Sequence, residues 1–268
     1  MRRLAFISAL FVCVLASALP TKSTPPYKPG EHLHYVLSYK WGAVRTDVAT
    51  ADMNLMLSEY GGEEALLLDM QARTMPFFDV FFKVREHFQS WFTPDGQTPL
   101  QFWRDTYEGG YTAVDRYTYD WEERVIHADV NFGGRGDEHY EIPLTESVFD
   151  FCALLYYFRT IDWAQMNVGD TFPLDFAIDE GVFEINIKYE GRELKKIPRL
   201  GYVNTLRFAC TLVSGAMFDG QEQLMAWVSD DDARLLVAFM APIRVGHVWG
   251  TIRDWENLKY PFDARVEK

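Results

Sequence analysis

Two histidines and a run of acids have the residue types and spacing that could bind a metal ion or carry out catalysis. His32 and His34 are one residue apart, which puts two imidazoles on the same face of a strand, where they could chelate a metal. A zinc centre takes three or four protein ligands, and the local spacing offers no third one. The other histidines stand singly, at His87, His127, His139 and His247. We therefore expect no metal site and no cofactor.

The acidic residues do not form a recognisable catalytic or calcium motif. Asp230, Asp231 and Asp232 lack the alternate spacing, the glycine and the closing glutamate of a calcium loop, so they predict a turn. A nucleophile elbow, a Walker loop and a Rossmann glycine pattern are also missing. With 39 acidic and 26 basic residues the net charge is −13, which repels nucleic acids and anionic headgroups. These features predict a protein that is not an enzyme and does not bind nucleic acid.

The N-terminal residues have the three-part pattern of a secretory signal peptide. Arg2 and Arg3 precede the apolar run 4–15, and the small residues 16–18 supply a cleavage site. The apolar run is too short to anchor the chain in a bilayer. We therefore predict a signal peptide over 1–18, a linker over 19–29, and an exported, periplasmic protein without a membrane span after cleavage.

Cleavage would leave two cysteines, Cys152 and Cys210. Two thiols can pair in an oxidising compartment, but both cysteines have apolar neighbours, which favours buried free thiols. The sequence leaves the disulfide open.

Alternating apolar and polar residues predict strands along most of the chain. Residues 33–41 and 82–92 alternate over their whole length, and Gly-Gly pairs at 61–62 and 109–110 supply tight turns. Turns at such regular intervals predict a mostly β fold, with curved antiparallel sheets that form a sandwich or an open barrel. We expect a single domain over 30–268, with two β layers at 30–145 and 165–255.

One segment, 146–159, interrupts this pattern and predicts a buried helix between the layers. It is apolar nearly all round and contains no glycine or proline, and Thr145 or Ser147 could cap its start. Arg159 ends the segment, and Glu86 alternates onto the apolar face of its strand. Because a charge in an apolar interior needs a partner, we predict that Arg159 pairs with Glu86 or with another inward acid. The alternative is that both reach the rim and are solvated.

The order of the motifs resembles a bacterial exported family, the domain of unknown function 3108, over nearly all of the chain after the signal peptide. The matching features are Pro29-Gly30-Glu31 before the aromatic strand, residues 82–92 before Pro99-Leu100, Asp150 leading through Leu154-Leu155-Tyr156-Tyr157 to Arg159, Gly191-Arg192-Glu193, Gly201, Trp227-Val228-Ser229-Asp230-Asp231, and Gly246. Thr46-Asp47 departs from the glycine expected early in the second strand. The resemblance implies an envelope protein with an antiparallel β fold, comparable at the level of fold to periplasmic lipid carriers. It carries no established activity and no catalytic residue.

Two functions fit these features. The first is a non-enzymatic binder or carrier of an apolar or amphipathic ligand, such as a lipid, held between sheet and helix. Inward strand faces and the helix suggest its lining residues, unless these simply fill the core: Tyr35, Tyr39, Phe88, Phe102 and Leu155. The second is a structural or scaffolding partner of another envelope protein, with an exposed Trp91, Trp103 or Trp121 as the interface anchor.

Overall fold

The computed structural model describes residues 21–22, 24–41, 44–212, 223–243 and 246–267. The predicted signal peptide lies outside these residues, as does part of the predicted linker. Within the described residues, no helix is both long enough and apolar enough to span a lipid bilayer.

Strands make up most of the described chain, as the alternating pattern predicts. They are β1 (His32–Trp41), β2 (Val44–Tyr60), β3 (Glu63–Thr74), β4 (Val84–Phe92), β5 (Pro99–Glu108), β6 (Tyr111–Asp120), β7 (Val125–Phe132), β8 (Glu138–Pro143), β9 (Val148–Phe149), β10 (Thr171–Ile178), β11 (Gly181–Ile197), β12 (Gly201–Leu212), β13 (Leu224–Ser229), β14 (Leu236–Pro242), β15 (His247–Glu256) and β16 (Arg265–Val266). Two α-helices interrupt them, α1 (Pro76–Asp79) and α2 (Phe151–Thr160), and a short 3-10 helix (Trp163–Gln165) follows α2.

These strands form a single sheet in the order β8-β7-β6-β5-β4-β3-β2-β1-β15-β14-β13-β12-β11-β10-β9, with β16 pairing to β12. Neighbours along this order are antiparallel, apart from the short parallel pair β9 and β10. β1 pairs with β2 on one side and with β15 on the other. The segments that the sequence suggested as two layers, 30–145 and 165–255, are therefore joined as halves of one sheet. This confirms a mostly β, antiparallel architecture.

The sheet curves strongly without closing, and β8 and β9 are its edges. Asp179, in the turn between β10 and β11, contacts strands that are far from it in the strand order. Its carbonyl accepts a hydrogen bond from Tyr117 Oη of β6 at 2.6 Å, and its carboxylate pairs with Arg104 of β5. The two halves of the sheet therefore face each other at this point.

Glycine pairs end β2 and β5 where the sequence predicts tight hairpins. Gly61 and Gly62 have φ angles of 61° and 88°, and Gly109 and Gly110 have 55° and 103°. Side chains with a Cβ rarely adopt such angles, so glycine is the residue that makes these two-residue turns possible.

Helix α2 lies on the concave side of the sheet and contacts β3, β4, β9 and β10. It begins at Phe151, later than predicted, because Val148 and Phe149 pair with β10 and Asp150 caps the helix. The Asp150 carboxylate accepts hydrogen bonds from the backbone nitrogens of Cys152 and Ala153, so the predicted caps Thr145 and Ser147 are wrong. The helix buries most of its faces, although Phe151 is 37% exposed.

Strand β4 begins at Val84, two residues later than the predicted strand 82–92. Phe82 instead belongs to the connection between β3 and β4, which contains α1. Pairing of the two strands stops at Arg73 and Arg85, so the residues between them leave the sheet.

Candidate functional site

The predicted ion pair of the helix exists, but its acid is Glu31 rather than Glu86. Arg159 Nη1 donates to Glu31 Oε1 at 2.6 Å, and Nη2 donates to Glu31 Oε2 at 3.0 Å. Nη2 also donates to the carbonyl of Ala233 at 3.0 Å, and Tyr156 Oη donates to Glu31 Oε1 at 2.8 Å. Arg159 and Glu31 are both buried. The bidentate pair therefore ties the helix to the start of β1.

Aromatic rings complete the surroundings of Arg159. Its guanidinium carbon lies 5.3 Å from the ring centre of Tyr27 and 5.1 Å from that of Tyr156. Burial alone would lower the pKa of Arg159, but the Glu31 carboxylate outweighs burial and raises it. The group is a permanent cation with a dedicated counter-ion, which is the environment of a structural ion pair.

A small cavity lies in the interior beside α2. The cavity that Tyr35 and Leu155 help to line has a volume of about 20 Å³ and is otherwise bounded by Leu33, Met53, Tyr156, Arg159 and Leu236. That is room for about one water molecule, whereas small-molecule sites measure roughly 300–1,000 Å³. An apolar ligand would fit at this place only if the core opened.

The other predicted lining residues do not join this cavity. Phe88 and Phe102 contact each other with ring centres 6.0 Å apart, and Phe88 also contacts Phe151 at 5.8 Å. Tyr39 is paired with Thr46 and Val248, toward the opposite end of β1 from Leu33. The structure therefore distributes the five residues through the molecule and does not bring them together in one site.

A second polar cluster lies where the two halves of the sheet meet, and spacing did not reveal it. Arg104 Nε lies 2.8 Å from Asp115 Oδ2, and the same guanidinium pairs with Asp179. Burial raises the pKa of Asp115 to about 6, although the charge of Arg104 opposes that shift. The three side chains pair with one another, so the cluster connects β5 and β6 to the turn between β10 and β11.

Glu86, the acid first assigned to Arg159, lies on β4 directly across from Thr106 of β5. Its Oε2 accepts a hydrogen bond of 2.5 Å from Thr106 Oγ1, and its Oε1 is buried without a hydrogen-bond partner in the described residues. Burial raises its pKa to about 7, so the carboxyl is partly protonated near neutral pH.

The connection between β3 and β4 exposes a group of large apolar side chains, which we call the aromatic loop (residues 76–82). The exposed fractions are 69% for Phe77, 84% for Val80, 74% for Phe81 and 55% for Phe82. Water contact on four neighbouring large apolar side chains is unfavourable, and such patches mark sites that contact a partner or a membrane. The signal in the sequence is the cluster of apolar residues after Pro76, where alternation fails.

Ion pairing and glycine hold the aromatic loop in place. Arg85 Nη1 and Nη2 donate to the two carboxylate oxygens of Asp79 at 2.9 and 2.5 Å, and Thr74 Oγ1 also donates to Asp79. These hydrogen bonds lower the pKa of Asp79 to about 2. The Phe82 ring lies over Gly109 so closely that a Cβ there would come within 2.3 Å of it. Contacts with Thr74, Arg85 and Gly109 therefore hold the aromatic loop in a defined conformation.

A groove of about 490 Å³ crosses β3 to β6 beside the aromatic loop. It is lined by Gln71, Ala72, Arg73, Arg85, Glu86, His87, Asp105, Thr106, Tyr107, Thr112 and Val114. Arg85 of the groove binds Asp79 of the loop, and the ring centre of Tyr107 in the groove lies 5.5 Å from the ammonium of Lys83, the residue after the loop. Within the described part of the chain, Arg73 makes no side-chain hydrogen bond or ion pair. The lining thus offers charges of both signs.

The three tryptophans that the sequence suggested as exposed interface anchors are not exposed in the structure. Trp91, Trp103 and Trp121 are half-buried. Trp91 and Trp103 contact each other with ring centres 5.1 Å apart, and Trp121 Nε1 donates to the carbonyl of Pro99 at 2.8 Å.

The histidine pair predicted to be solvated shares one acid. His34 Nδ1 and His32 Nε2 lie 2.7 and 3.2 Å from Asp52 Oδ1. In contrast, the singly spaced His127 and His139 come together with Glu141, with one potential ligand atom of each within 4.8 Å of the others. Sequence spacing missed this cluster because it depends on the register between β7 and β8.

Both cysteines are free thiols. Burial raises the pKa of the Cys152 thiol well above its usual value and that of Cys210 to about 12. Neither forms a thiolate readily, so neither has the character of a nucleophile.

Fold and site together describe a β protein built on one strongly curved antiparallel sheet, with a packed interior and an exposed apolar loop. The chain belongs to the family described as protein of unknown function (DUF3108), whose sequence model matches residues 34–253. No curated protein sequence matches the chain.

A solved structure supports the fold. A β-barrel-like protein of domain of unknown function DUF1849 from Brucella abortus is similar with a TM-score of 0.55 at 9% identity, over 89% of this chain and 99% of that one. A Bacteroides fragilis protein with a YmcC-like fold has a TM-score of 0.35 at 9% identity, over 87% of this chain and 99% of that one. At 9% identity the likeness to the Brucella abortus protein concerns the fold alone. A TM-score of 0.35 is too low to indicate that the Bacteroides fragilis protein shares this fold.

Proposed function

We propose that this protein is a non-enzymatic, exported envelope protein that binds a zwitterionic amphipathic lipid at the surface formed by the aromatic loop and the adjacent groove. The observation that carries the proposal is the exposure of Phe77, Val80, Phe81 and Phe82 on one loop. Export rests on the secretory pattern of residues 1–18.

The apolar part of the lipid fits the loop. Burying one large apolar side chain is worth about 1.5–3 kcal/mol, so several such side chains entering acyl chains could support binding without an internal cavity. The packed interior, with its cavity of about 20 Å³ beside α2, supports a surface site over an enclosed one.

The polar part of the lipid fits the groove. Arg73 offers a cation for a phosphate, and Asp105, which also accepts hydrogen bonds from Arg116, lines the same groove as an acceptor for an ammonium group. The net charge of −13 disfavours a strongly anionic lipid surface, so a headgroup of both signs matches the site better.

Vesicle flotation tests the proposal. The purified protein should float with vesicles of phosphatidylethanolamine and phosphatidylcholine, and more weakly with vesicles rich in phosphatidylglycerol at low salt. The double variant Phe77→Ser/Phe81→Ser should bind about a hundredfold more weakly, since losing about 3 kcal/mol of apolar contact corresponds to that factor. Arg73→Ala should weaken binding about tenfold by removing the phosphate partner.

The matched control is Leu57→Ser/Val168→Ser, which removes two apolar side chains that are 60% and 70% exposed outside the loop. It should float like the wild type. The proposal is wrong if the loop variant also floats like the wild type, or if native mass spectrometry finds lipid retained equally by both. It is equally wrong if a photo-crosslinker at Phe81 captures one envelope protein in cells and no lipid, which would favour the scaffolding role.

A further inference from the structure

The hairpin of β7 and β8 brings together three side chains of the types that bind transition metals. His127 lies directly across from Glu141, and His139 lies across from Asp129 in the antiparallel register. His127, His139 and Glu141 can each present one ligand atom within 4.8 Å of the other two. The two imidazoles are nearly parallel, with ring centres 6.1 Å apart.

An acid next to this cluster orients one of the imidazoles. Asp129 Oδ1 lies 2.9 Å from His139 Nδ1, and a carboxylate accepts, so Nδ1 carries the hydrogen and donates it. This leaves Nε2 of His139 with its lone pair available. Histidines that bind metals usually donate their other ring N–H to a carboxylate in this way, which fixes the ring and strengthens the ligand.

The geometry needs only a small adjustment to become a coordination site. Ligand atoms around a tetrahedral zinc ion with bonds of about 2.0–2.1 Å are about 3.3 Å apart. His139 and Glu141 are exposed and His127 is half-buried, so side-chain rotation can bring the atoms from within 4.8 Å to that spacing. The strand pair holds their backbones in place during this change.

We propose that His127, His139 and Glu141 bind one divalent transition-metal ion of the zinc class, oriented by Asp129. Two nitrogen ligands and one oxygen ligand suit Zn²⁺, whereas Ca²⁺ and Mg²⁺ require oxygen ligands. Three protein ligands leave a fourth position for water. The proposal is independent of lipid binding, since none of these residues lines the groove or belongs to the aromatic loop.

Isothermal titration of the purified protein with Zn²⁺ tests this site. One equivalent should bind, Ca²⁺ and Mg²⁺ should not compete, and Co²⁺ should give the visible absorption of a tetrahedral complex. His127→Ala and His139→Ala should each lower the affinity more than tenfold, and Asp129→Asn should lower it about 10–100-fold, as for other groups that orient a ligand.

The matched control is His32→Ala/His34→Ala, which removes the two imidazoles that share Asp52. It should leave the Zn²⁺ affinity unchanged. Circular dichroism monitors folding of each variant, and Zn²⁺ should raise the melting temperature of the wild type but not of His139→Ala. The proposal fails if no stoichiometric binding occurs, if His139→Ala keeps full affinity, or if the His32/His34 control abolishes binding.

Discussion

At the scale of single residues, the buried pair of Arg159 and Glu31 is a bidentate contact that joins the helix to the residue before β1. Removing two charges from water is costly, and the cost is offset in part because both terminal guanidinium nitrogens, Nη1 and Nη2, and both carboxylate oxygens are engaged, although Nε has no hydrogen-bond partner in the described residues. An apolar helix end requires a counter-ion for Arg159, and that requirement follows from the sequence. The identity of the acid does not, because Glu31 meets Arg159 only after the sheet has curved around the helix.

Replacing Arg159 should destabilise the protein through the acid that it leaves behind. We expect Arg159→Met to lower the free energy of unfolding by about 3–5 kcal/mol, because Glu31 then stays buried without a counter-ion. The double variant Arg159→Met/Glu31→Gln should recover part of that loss. Urea denaturation followed by circular dichroism measures both, and a single variant within 0.5 kcal/mol of the wild type, the scatter of neutral surface changes, would contradict this role.

Glu86 should stabilise the folded state at low pH and lose that effect as the pH rises. Its pKa is raised from 4.5 to about 7 by burial, so the folded state binds its proton more tightly than the unfolded chain does. The stability that it contributes is present below about pH 4.5 and is lost as the pH rises to about 7. Glu86→Gln should therefore flatten the fall in melting temperature between pH 4.5 and 7.5. An unchanged pH profile would show that the carboxyl is solvated. Asp115 and Asp150, with pKa values raised to about 6 and 7, act in the same direction and remain in the variant.

At the scale of elements, local sequence patterns predicted the features that depend only on neighbouring residues. Alternation and the Gly-Gly turns located most strands, because a tight hairpin needs nothing beyond its own residues. The start of α2 was missed because Val148 and Phe149 are as apolar as the helix that follows, although they pair with β10. Phe82, the last residue of the aromatic loop, was predicted as strand because it continues the alternation of β4. Contacts between paired strands, such as that of His127 with Glu141, depend on register, which composition does not encode.

Helix α2 should depend on Asp150 for its start. Asp150 accepts two backbone hydrogen bonds and, at 2.9 Å, one from Ser90 Oγ, which ties the helix to β4. We expect Asp150→Ala to cost about 2–3 kcal/mol in the free energy of unfolding, from the lost cap and the unpaired buried hydroxyl. Asp150→Asn keeps the capping oxygen, so it should cost clearly less. Equal losses in both variants, measured by urea denaturation, would mean that the cap is not the source of the effect.

At the scale of the whole molecule, one sheet carries both halves of the chain. β1 is bonded to β15, and Arg104 with Tyr117 meets Asp179 across the concave side. These contacts join residues that are far apart in the sequence, so neither half keeps a complete set of strand partners alone.

The two halves should therefore unfold together. We expect coincident urea transitions by tryptophan fluorescence and far-ultraviolet circular dichroism, since loss of either half exposes β1 or β15 as a new edge. As a companion measurement, the fragment 30–145 should lack a cooperative transition because it has neither β15 nor α2. Two separate transitions in the full chain would show that the halves are independent units.

The pairing of β1 with β15 also governs when the molecule can finish folding. A chain delivered from its N-terminus presents β1 early, while β15, which completes the hydrogen bonding of β1, follows only after β2 to β14, so this pairing has to wait. During that interval β1 is an unpaired edge that can recruit strands from other molecules. Truncation before residue 247 would leave β1 unpaired on that side permanently, and the shortened chain should aggregate rather than stay in solution as a monomer.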